Sequence, residues 1–201
     1  MPTSLIVVDD FLDDALSARE AALRLTYPDL QGVYPGRNSV ERLTIPGLDQ
    51  AVSHLVGEPV RAVNPLQSHG KCRMTLARDV GTMRVHIDPA YWSGILYLSR
   101  PQDCRGGTEF FRHRDTGTDR APYDDAEAAT WGFASGREMV AQILSRDSLD
   151  HAAWESSMTV PMRFNRLLLL RPWLWHTAGE NFGDSMENGR LVLLMFFESA
   201  R

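Results

Sequence analysis

Short runs of β-branched and apolar residues dominate the chain from Cys72 onward, and they limit the folds that this chain can adopt. One group of runs covers 73–76, 83–87, 94–98 and 108–111, and the other covers 157–160, 166–170, the neighbourhood of His176, and 190–197. Runs of this length and composition predict strands. Two groups of strands on either side of one insertion predict an antiparallel sandwich or jelly roll.

The part of the chain before these strands predicts a support of mixed structure. Residues 5–8 form a short β-branched run, and Asp13 or Asp14 can cap a helix over 15–25. Prolines and glycines recur between Pro28 and Pro65, so we expect no long element there beyond a short helix near 48–56. We therefore predict helical support over 1–70.

The insertion between the strand groups, about 112–155, is polar and contains one predicted helix over 137–145. A connection of about forty residues between strands is long, and such segments often form lids or partner surfaces. Trp131 and Trp154 argue against disorder. We therefore predict a lid-like insertion.

Composition bounds the domain count and the class of partner. A chain of 201 residues with 43% hydrophobic residues can bury one core, so we expect a single domain over 1–201. The net charge of -5 and the absence of a basic block argue against nucleic acid as a partner. No apolar run approaches a membrane span, and residues 1–8 lack a basic start, which predicts a cytoplasmic protein. A homodimer is left open.

Three side chains form the candidate metal site. His86 and Asp88 are separated by one residue on a predicted strand, so both point to the same face. His176 lies in the second strand group, where a jelly roll would bring it over the first. Two histidines and one carboxylate on one face of an octahedron are typical of non-haem iron(II), whereas zinc sites more often use other sets.

A lone His-x-Asp occurs often by chance, but the blocks around it come in a consistent order. They are GILYLS (94–99), GGTEFF (106–111), NRLLLL (165–170) leading to His176, and GRLV (189–192). From about Met74 to Glu198 the chain resembles the iron(II)/2-oxoglutarate dioxygenase superfamily, closest to its prolyl-4-hydroxylase-like branch. The opening VVDDFL (7–12) also resembles the N-terminal support of many members.

The resemblance implies a double-stranded β-helix, a cupin-like jelly roll with flanking helices, that uses Fe(II), 2-oxoglutarate and O2. It implies that His86, Asp88 and His176 ligate iron. It also implies that Arg190, fourteen positions after His176, holds the far carboxylate of 2-oxoglutarate. A guanidinium suits this role because it grips a carboxylate through two parallel hydrogen bonds. Since Asp88 is present, hydroxylation, desaturation or ring formation is favoured over halogenation.

The chain also departs from the family pattern near the cosubstrate. Arg78 stands where relatives often carry a tyrosine that touches 2-oxoglutarate, and Val192 replaces a small hydroxyl residue. Arg78 is therefore a second candidate for cosubstrate binding. Arg171, five residues before His176, competes with Arg190 or points at substrate.

Further side chains are candidates for substrate contact. Arg84 shares the face of His86 by strand periodicity, with an ion pair to Asp79 or Glu109 as the structural alternative. Glu109 follows a double glycine, and Trp92 could supply an apolar wall or simply belong to the core. Several arginines near the pocket favour a substrate that bears a carboxylate.

The sequence therefore predicts an enzyme that oxidises a C–H bond of a small molecule, such as an amino acid or a natural-product intermediate. Two alternatives stay open. One is a hydroxylase of peptide or protein side chains, which needs an open groove. The other is a non-catalytic cupin-type module that binds metal or ligand, for which Arg190 would have no purpose. A purely structural sandwich is the least favoured.

Overall fold

The computed structural model describes residues 3–30 and 32–201, so the start of the N-terminal run (1 and 2) and residue 31 lie outside the described residues. This part of the chain is mainly β, as predicted, with few helices. Its strands are β1 (Leu5–Val8), β2 (Arg37–Asn38), β3 (Val60–Ala62), β4 (Cys72–Thr75), β5 (Trp92–Tyr97), β6 (Gly107–His113), β7 (Trp154–Pro161), β8 (Leu167–Leu170), β9 (His176–Thr177) and β10 (Arg190–Ser199).

Four α-helices accompany the strands: α1 (Ala15–Leu23), α2 (Leu48–Val56), α3 (Asp125–Thr130) and α4 (Gly136–Asp147). Asp14 caps α1, because its side chain accepts a hydrogen bond from the Ser17 amide at 3.0 Å. The predictions of α1 and α2 are confirmed, although α1 ends two residues before the predicted bound. The predicted helix over 137–145 corresponds to α4, whereas α3 escaped prediction because it is short.

The larger sheet contains seven strands, in the order β1-β8-β5-β10-β4-β2, with β3 paired to β10. All of these pairs are antiparallel. β8 enters the sheet after Asn165, which adopts a left-handed conformation with φ of 60°. The Asn165 side chain is fixed by hydrogen bonds to the backbone N–H and C=O of Leu12, at 2.9 and 2.8 Å. The N-terminal segment is thereby tied to the turn that leads into β8.

The smaller sheet has the order β7-β6-β9 and is also antiparallel. A single antiparallel bridge joins His86 to His176, the first residue of β9. The prediction of a strand over 83–87 is wrong, because this segment is irregular except at that bridge. Its backbone is held instead by the side chain of Ser148, which accepts from the Arg84 amide and donates to the Val85 carbonyl.

The strand β10 separates two environments. Leu191, Leu193, Met195 and Phe197 point to one face, where they join the main core with residues of α1 and α2. The alternate residues of β10 point to the other face, which looks toward the smaller sheet. The main core therefore lies between the larger sheet and the N-terminal helices, and it leaves the opposite face of the sheet free for other chemistry.

The inner faces of the two sheets meet in a separate cluster. Phe110 and Val160 of the smaller sheet pack against Leu168 and Leu170 of the larger one. Tyr97 adds a buried polar contact between the sheets, a 2.7 Å hydrogen bond between its hydroxyl and that of Thr108. These contacts fix the spacing of the sheets at one end of the space between them.

The insertion packs mainly on the outer face of the smaller sheet. Met139 and Ile143 of α4 contact a buried cluster that includes Phe111, Trp154 and Trp175. The tryptophans that argued against disorder thus lie in or against a real core. None of the helices in the described ranges has the length and apolarity that a membrane crossing requires.

Truncation of a side chain in the larger sheet tests its contribution to stability. Leu169 is fully buried in β8 between Ile6 of β1 and Gly94 of β5. We expect Leu169→Ala to lower the free energy of unfolding by about 3 kcal/mol, since it leaves a cavity in the core. Urea denaturation would measure this loss. The matched control Leu16→Ala, on the exposed face of α1, should change stability by less than about 0.5 kcal/mol.

Candidate active site

The structure brings His86, Asp88 and His176 together. One ligand atom from each lies within 4.8 Å of the others. The His86 Nε2 atom is 3.8 Å from Asp88 Oδ1, and the His176 Nε2 atom is 3.4 Å from Asp88 Oδ2. This spacing lets the three side chains bind one metal ion from one side, because His and Asp ligand atoms each lie about 2 Å from such an ion.

Backbone pairing explains why the two imidazoles meet. The His86 amide donates to the His176 carbonyl at 2.9 Å, and the His176 amide donates to the His86 carbonyl at 3.1 Å. Residues paired in this way stand directly opposite each other and direct their side chains to the same face. The ring centroids are accordingly 4.5 Å apart. Asp88 is held nearby by its own amide, which donates to the Pro172 carbonyl at 3.1 Å.

Each imidazole is oriented by a backbone carbonyl. His86 Nδ1 lies 2.9 Å from the Arg84 carbonyl oxygen, and His176 Nδ1 lies 2.7 Å from that of Leu174. A carbonyl only accepts hydrogen bonds, so each Nδ1 carries the proton and each Nε2 faces Asp88. Ser93 donates to Asp88 Oδ2 at 2.7 Å and fixes the carboxylate in the same way. Such outer partners are characteristic of metal ligands.

The three side chains lie close together, and contacts among them shift the pKa of each one. Burial would raise the pKa of Asp88, but contact with His176, with His86 and with the Ser93 hydroxyl outweighs it and holds that pKa well below its usual range. Burial lowers the pKa of His86 to about 4. Burial also lowers the pKa of His176, but its contact with Asp88 outweighs this effect and leaves that pKa raised. Asp88 is therefore ionised and His86 neutral at neutral pH, as a metal site requires.

A cavity of about 540 Å³ lies over these residues, between the two sheets. Its inner wall is the free face of the larger sheet, with alternate residues of β10 and β4 and residues 93–95 of β5. The side chains on this wall include Arg190, Val192, Leu194, Arg73, Thr75 and Ser93. A cavity of this volume can hold ligands that range from metabolites to drug-sized molecules.

Arg190 is the most unusual side chain of the cavity. Only 2% of it is exposed, and its Nε–H has no hydrogen-bond partner. Within residues 3–30 and 32–201 its guanidinium forms no ion pair with a carboxylate. Burial lowers the pKa of Arg190, and the hydroxyl of Tyr97 is the group that partly offsets this effect. A buried cation without a counter-ion is costly, so the site fits an anion supplied from outside.

Arg73 stands beside Arg190 and was not predicted from the sequence. Its Nε–H donates to the Asn38 side chain at 2.8 Å, and its guanidinium lies 5.5 Å from the ring centre of Tyr34. No carboxylate in the described part of the chain pairs with it. Burial lowers the pKa of Arg73, and the charge of Arg190 lowers it further. No local sequence signal singles it out, because the pairing of β4 with β10 is what places Arg73 on the same face as Arg190.

Tyr34 was also missed. Its ring lies 4.5 Å from that of His86, so it covers one side of the metal ligands. The segment that carries it is fastened to the loop before His86, because the amides of Thr82 and Met83 both donate to the Val33 carbonyl. A Cβ atom on Gly81 would come within 2.7 Å of Pro35, so only glycine permits this approach. No local sequence pattern could reveal so distant a contact.

The side chain of Arg84, which lines the outer part of the cavity, forms an ion pair with Glu109. Its Nη2 atom is 3.3 Å from Glu109 Oε2, and its guanidinium lies 4.8 Å from the ring centre of Phe111. The ion pair foreseen as the structural alternative is therefore present. Glu109 itself is not part of the cavity wall. Val80 and Leu149 add exposed apolar side chains at the rim.

Three other predicted site residues lie away from the cavity. Arg78 is exposed and lines a separate cleft with Asp29 and Arg37. Arg171 is 4% exposed, forms an ion pair with Glu58, and stacks on Trp92 with 4.0 Å to the ring centre. Trp92 belongs to the main core, and its indole N–H donates to Glu58 at 3.0 Å. The polar groups of Arg171 and Trp92 are thus occupied inside the protein.

A second group with metal-binding residue types has another explanation. His113, Asp115 and Asp147 also lie within ligand spacing. However, His113 Nε2 is 2.8 Å from Asp147, and Arg146 forms ion pairs of 2.7 Å with both aspartates. A guanidinium therefore already occupies the place that a cation would take.

Comparison with known proteins places the chain in a family. The model of a family of unknown function, DUF6445, matches residues 2–197. The chain belongs to this family. No curated protein matches the sequence.

Solved structures share the fold of this DUF6445 member at low sequence identity. HygX from Streptomyces hygroscopicus, with nickel, 2-oxoglutarate and hygromycin B bound, is 14% identical with a TM-score of 0.58, and the match covers 98% of this chain and 84% of that one. The non-heme alpha-ketoglutarate-dependent epimerase SnoN from nogalamycin biosynthesis is 15% identical with a TM-score of 0.52, over 98% and 79%. A prolyl hydroxylase from Trichoplax adhaerens, in complex with a peptide of hypoxia inducible factor, is 12% identical with a TM-score of 0.50, over 98% and 84%.

Metal binding tests the three candidate ligands directly. We expect the protein to bind one Ni(II) per chain in isothermal titration, and we expect His176→Ala to abolish this binding because one of three ligands is lost. Ser93→Ala should weaken binding by about 10-fold, since it removes the hydrogen bond that orients Asp88. The control His54→Ala changes an exposed histidine of α2. Equal loss of binding in this control and in His176→Ala would contradict the assignment.

Proposed function

We propose that this protein is an iron(II)- and 2-oxoglutarate-dependent oxygenase with a double-stranded β-helix, or jelly-roll, fold. The observation that carries the proposal is the buried guanidinium of Arg190, which has no ion-pair partner among residues 3–30 and 32–201 and lies in the same cavity as His86, Asp88 and His176. A metal triad alone fits many activities. A metal triad together with an unpaired buried cation fits a cosubstrate that has both a chelating end and an anionic end.

The residues present fit a ferrous ion. His86, Asp88 and His176 supply two imidazole nitrogens and one carboxylate oxygen, the set associated with non-haem iron(II) that leaves positions open. When bound, the ion would couple O2 to 2-oxoglutarate to give succinate and CO2. One atom of O2 would enter succinate, and the other would be inserted into a C–H bond of the substrate. HygX is similar in fold and has been solved with 2-oxoglutarate and with iron, which supports this choice of partners.

Arg190 would hold the far carboxylate of 2-oxoglutarate. Its planar guanidinium can donate two parallel hydrogen bonds to a carboxylate, and the low polarity around it strengthens them. Val192 and Leu194 of the same strand face line the cavity between Arg190 and the metal ligands, and they would exclude water along the carbon chain. The cosubstrate would thus be bound by charge at its far end and by apolar contact in its middle.

Asp88 bears on the outcome of the reaction. Its carboxylate is ionised and fixed by Ser93, so it would occupy a coordination position throughout. This arrangement favours hydroxylation, desaturation or ring formation over halogenation. Tyr34 and the loop before His86 close one side of the site, which would keep water from the reacting atoms.

The substrate we propose is a small molecule that bears a carboxylate, such as an amino acid or a natural-product intermediate. The cavity volume of about 540 Å³ suits such a molecule in addition to the cosubstrate. Arg84 lies at the outer part of the cavity and could meet an anionic group there. The similar structures of HygX with hygromycin B and of SnoN from nogalamycin biosynthesis favour a small molecule.

Two alternatives are less well supported. A peptide hydroxylase is suggested by the similar prolyl hydroxylase, and membership of the prolyl-4-hydroxylase-like branch stays a prediction. A non-catalytic cupin-type module would explain the triad, but it gives no reason to keep Arg190 buried without a partner. Of the described residues of the insertion, only Leu149 and His151 line the cavity wall. The lid role of the insertion therefore stays a prediction that rests on these two residues. A cytoplasmic location, a homodimer and the exclusion of nucleic acid also stay predictions.

The complex of iron and cosubstrate offers a direct test. Without oxygen, addition of Fe(II) and 2-oxoglutarate should give a visible charge-transfer absorption band, because the keto acid chelates the ion. We expect His176→Ala to lose the band and His54→Ala to keep it. If the parent protein gives no band, or if His176→Ala keeps it, the proposed function is wrong.

Substitution of Arg190 tests the cosubstrate role separately. In Arg190→Gln, the concentration of 2-oxoglutarate that half-saturates the band should rise by about 10- to 100-fold, since a charge-assisted contact to a carboxylate is lost. The band at saturation should keep its intensity. Oxygen-dependent release of succinate, screened with amino acids as stimulants, would then address the substrate. An unchanged 2-oxoglutarate requirement in this variant would remove Arg190 from the site.

A further inference from the structure

Two arginines share the cavity wall, the buried Arg190 and the half-buried Arg73, and neither forms an ion pair with a carboxylate within residues 3–30 and 32–201. Arg73 lies on β4 and Arg190 on β10, and these strands are paired with Arg73 opposite Val192 and Thr75 opposite Arg190. The two arginines are therefore diagonal neighbours on one face of the sheet. Diagonal neighbours lie about 7–8 Å apart at their Cα atoms, which long side chains span easily.

Neither arginine has a carboxylate within ion-pair distance in residues 3–30 and 32–201, although the charge of Asp88 acts on Arg73 from farther away and partly offsets the lowering of its pKa. Arg73 is held at its Nε by Asn38 and rests on the Tyr34 ring, both of which are uncharged contacts. Arg190 has no hydrogen-bond partner at its Nε. The other buried arginines of the described residues have their donors occupied: Arg171 pairs with Glu58, whereas Arg19 forms no ion pair but donates to the Leu98 and Glu187 carbonyls at 2.7 and 2.6 Å. Among the buried side chains of the described residues, an N–H without any hydrogen-bond partner is thus found at Arg190, in this cavity.

Two like charges at this spacing repel each other, and burial increases the repulsion because water screens them poorly. The repulsion is relieved when an anion lies between the two guanidiniums. Each guanidinium presents a fork of N–H donors, and a carboxylate has two oxygens with about four acceptor sites. One carboxylate can therefore satisfy both arginines at once.

We propose that Arg73 and Arg190 form one two-guanidinium site that takes a single carboxylate group of a dicarboxylate, and that this site binds without metal. The inference rests on the proposed function in assigning that carboxylate to the far end of 2-oxoglutarate. It goes further by adding Arg73 as the second half of the grip and by separating anion binding from metal binding. Asn38 and Tyr34 are then positioning residues that aim Arg73 at the anion.

Glutarate is the probe that isolates this site. It has the two carboxylates and the chain length of 2-oxoglutarate but lacks the keto oxygen that a metal chelate needs. Binding of glutarate to the full chain would be measured by isothermal titration in EDTA, in a buffer without sulfate or phosphate. We expect the metal-free parent protein to bind glutarate.

The variants separate the two arginines from the rest of the cavity. We expect Arg73→Gln and Arg190→Gln each to weaken glutarate binding by about 10-fold or more, because each removes charge-assisted hydrogen bonds to the same carboxylate. Arg73→Lys keeps the charge without the fork and should give a smaller loss; it also serves if Arg73→Gln does not fold. The matched control Arg78→Gln removes an exposed arginine outside the cavity and should leave the affinity within about twofold.

The outcomes distinguish this inference from the proposed function. If Arg73→Gln and Arg73→Lys both bind glutarate as the parent does, Arg73 is not part of the site and the inference is overturned. The same holds if the metal-free parent does not bind glutarate. If glutarate binds through both arginines but Fe(II) and 2-oxoglutarate give no charge-transfer band, the anion site stands and the oxygenase assignment falls.

Discussion

The pair of backbone hydrogen bonds between His86 and His176 is the contact on which the site depends. It connects an irregular segment before β5 to the short strand β9 of the smaller sheet. Because the two residues stand opposite each other, one backbone contact places both imidazoles on the same side. Asp88 lies two residues after His86, and a hydrogen bond from the Ser93 hydroxyl holds its carboxylate beside the two imidazoles. The geometry of the candidate metal site is thus set mainly by the backbone.

The convergence of the three candidate ligands could be predicted from the sequence, because His86 and Asp88 are close in the chain and the order of the blocks up to His176 is informative. The reason given for His86 and Asp88 was strand periodicity, yet the structure has no strand over 83–87. The pair converges because a bridge and the Asp88 amide hold the segment in an extended course. The strands from β4 to β10 and the helices α1, α2 and α4 followed from patterns of apolar residues, which depend on burial alone.

The parts that could not be predicted involve contacts between distant segments. Tyr34 reaches His86 from a region rich in proline and glycine, where no periodic signal exists. Arg73 is one arginine among many until the pairing of β4 with β10 places it beside Arg190. Arg171 shows the opposite outcome. The sequence makes it a candidate for ligand contact, but in the fold its guanidinium forms an ion pair with Glu58. The charge partners of arginine decide between these roles, and they are properties of tertiary structure.

The alternation along β10 has a consequence for how members of this family can diverge. Leu191, Leu193, Met195 and Phe197 maintain the core, whereas the residues between them line the cavity. Exchanges at the cavity-facing positions alter the cavity with little effect on core packing, and exchanges at the core positions do the reverse. Along this one strand, the residues that maintain the fold therefore alternate with the residues that can change to suit a new ligand. Selection for a new ligand can act on this strand without first weakening the fold.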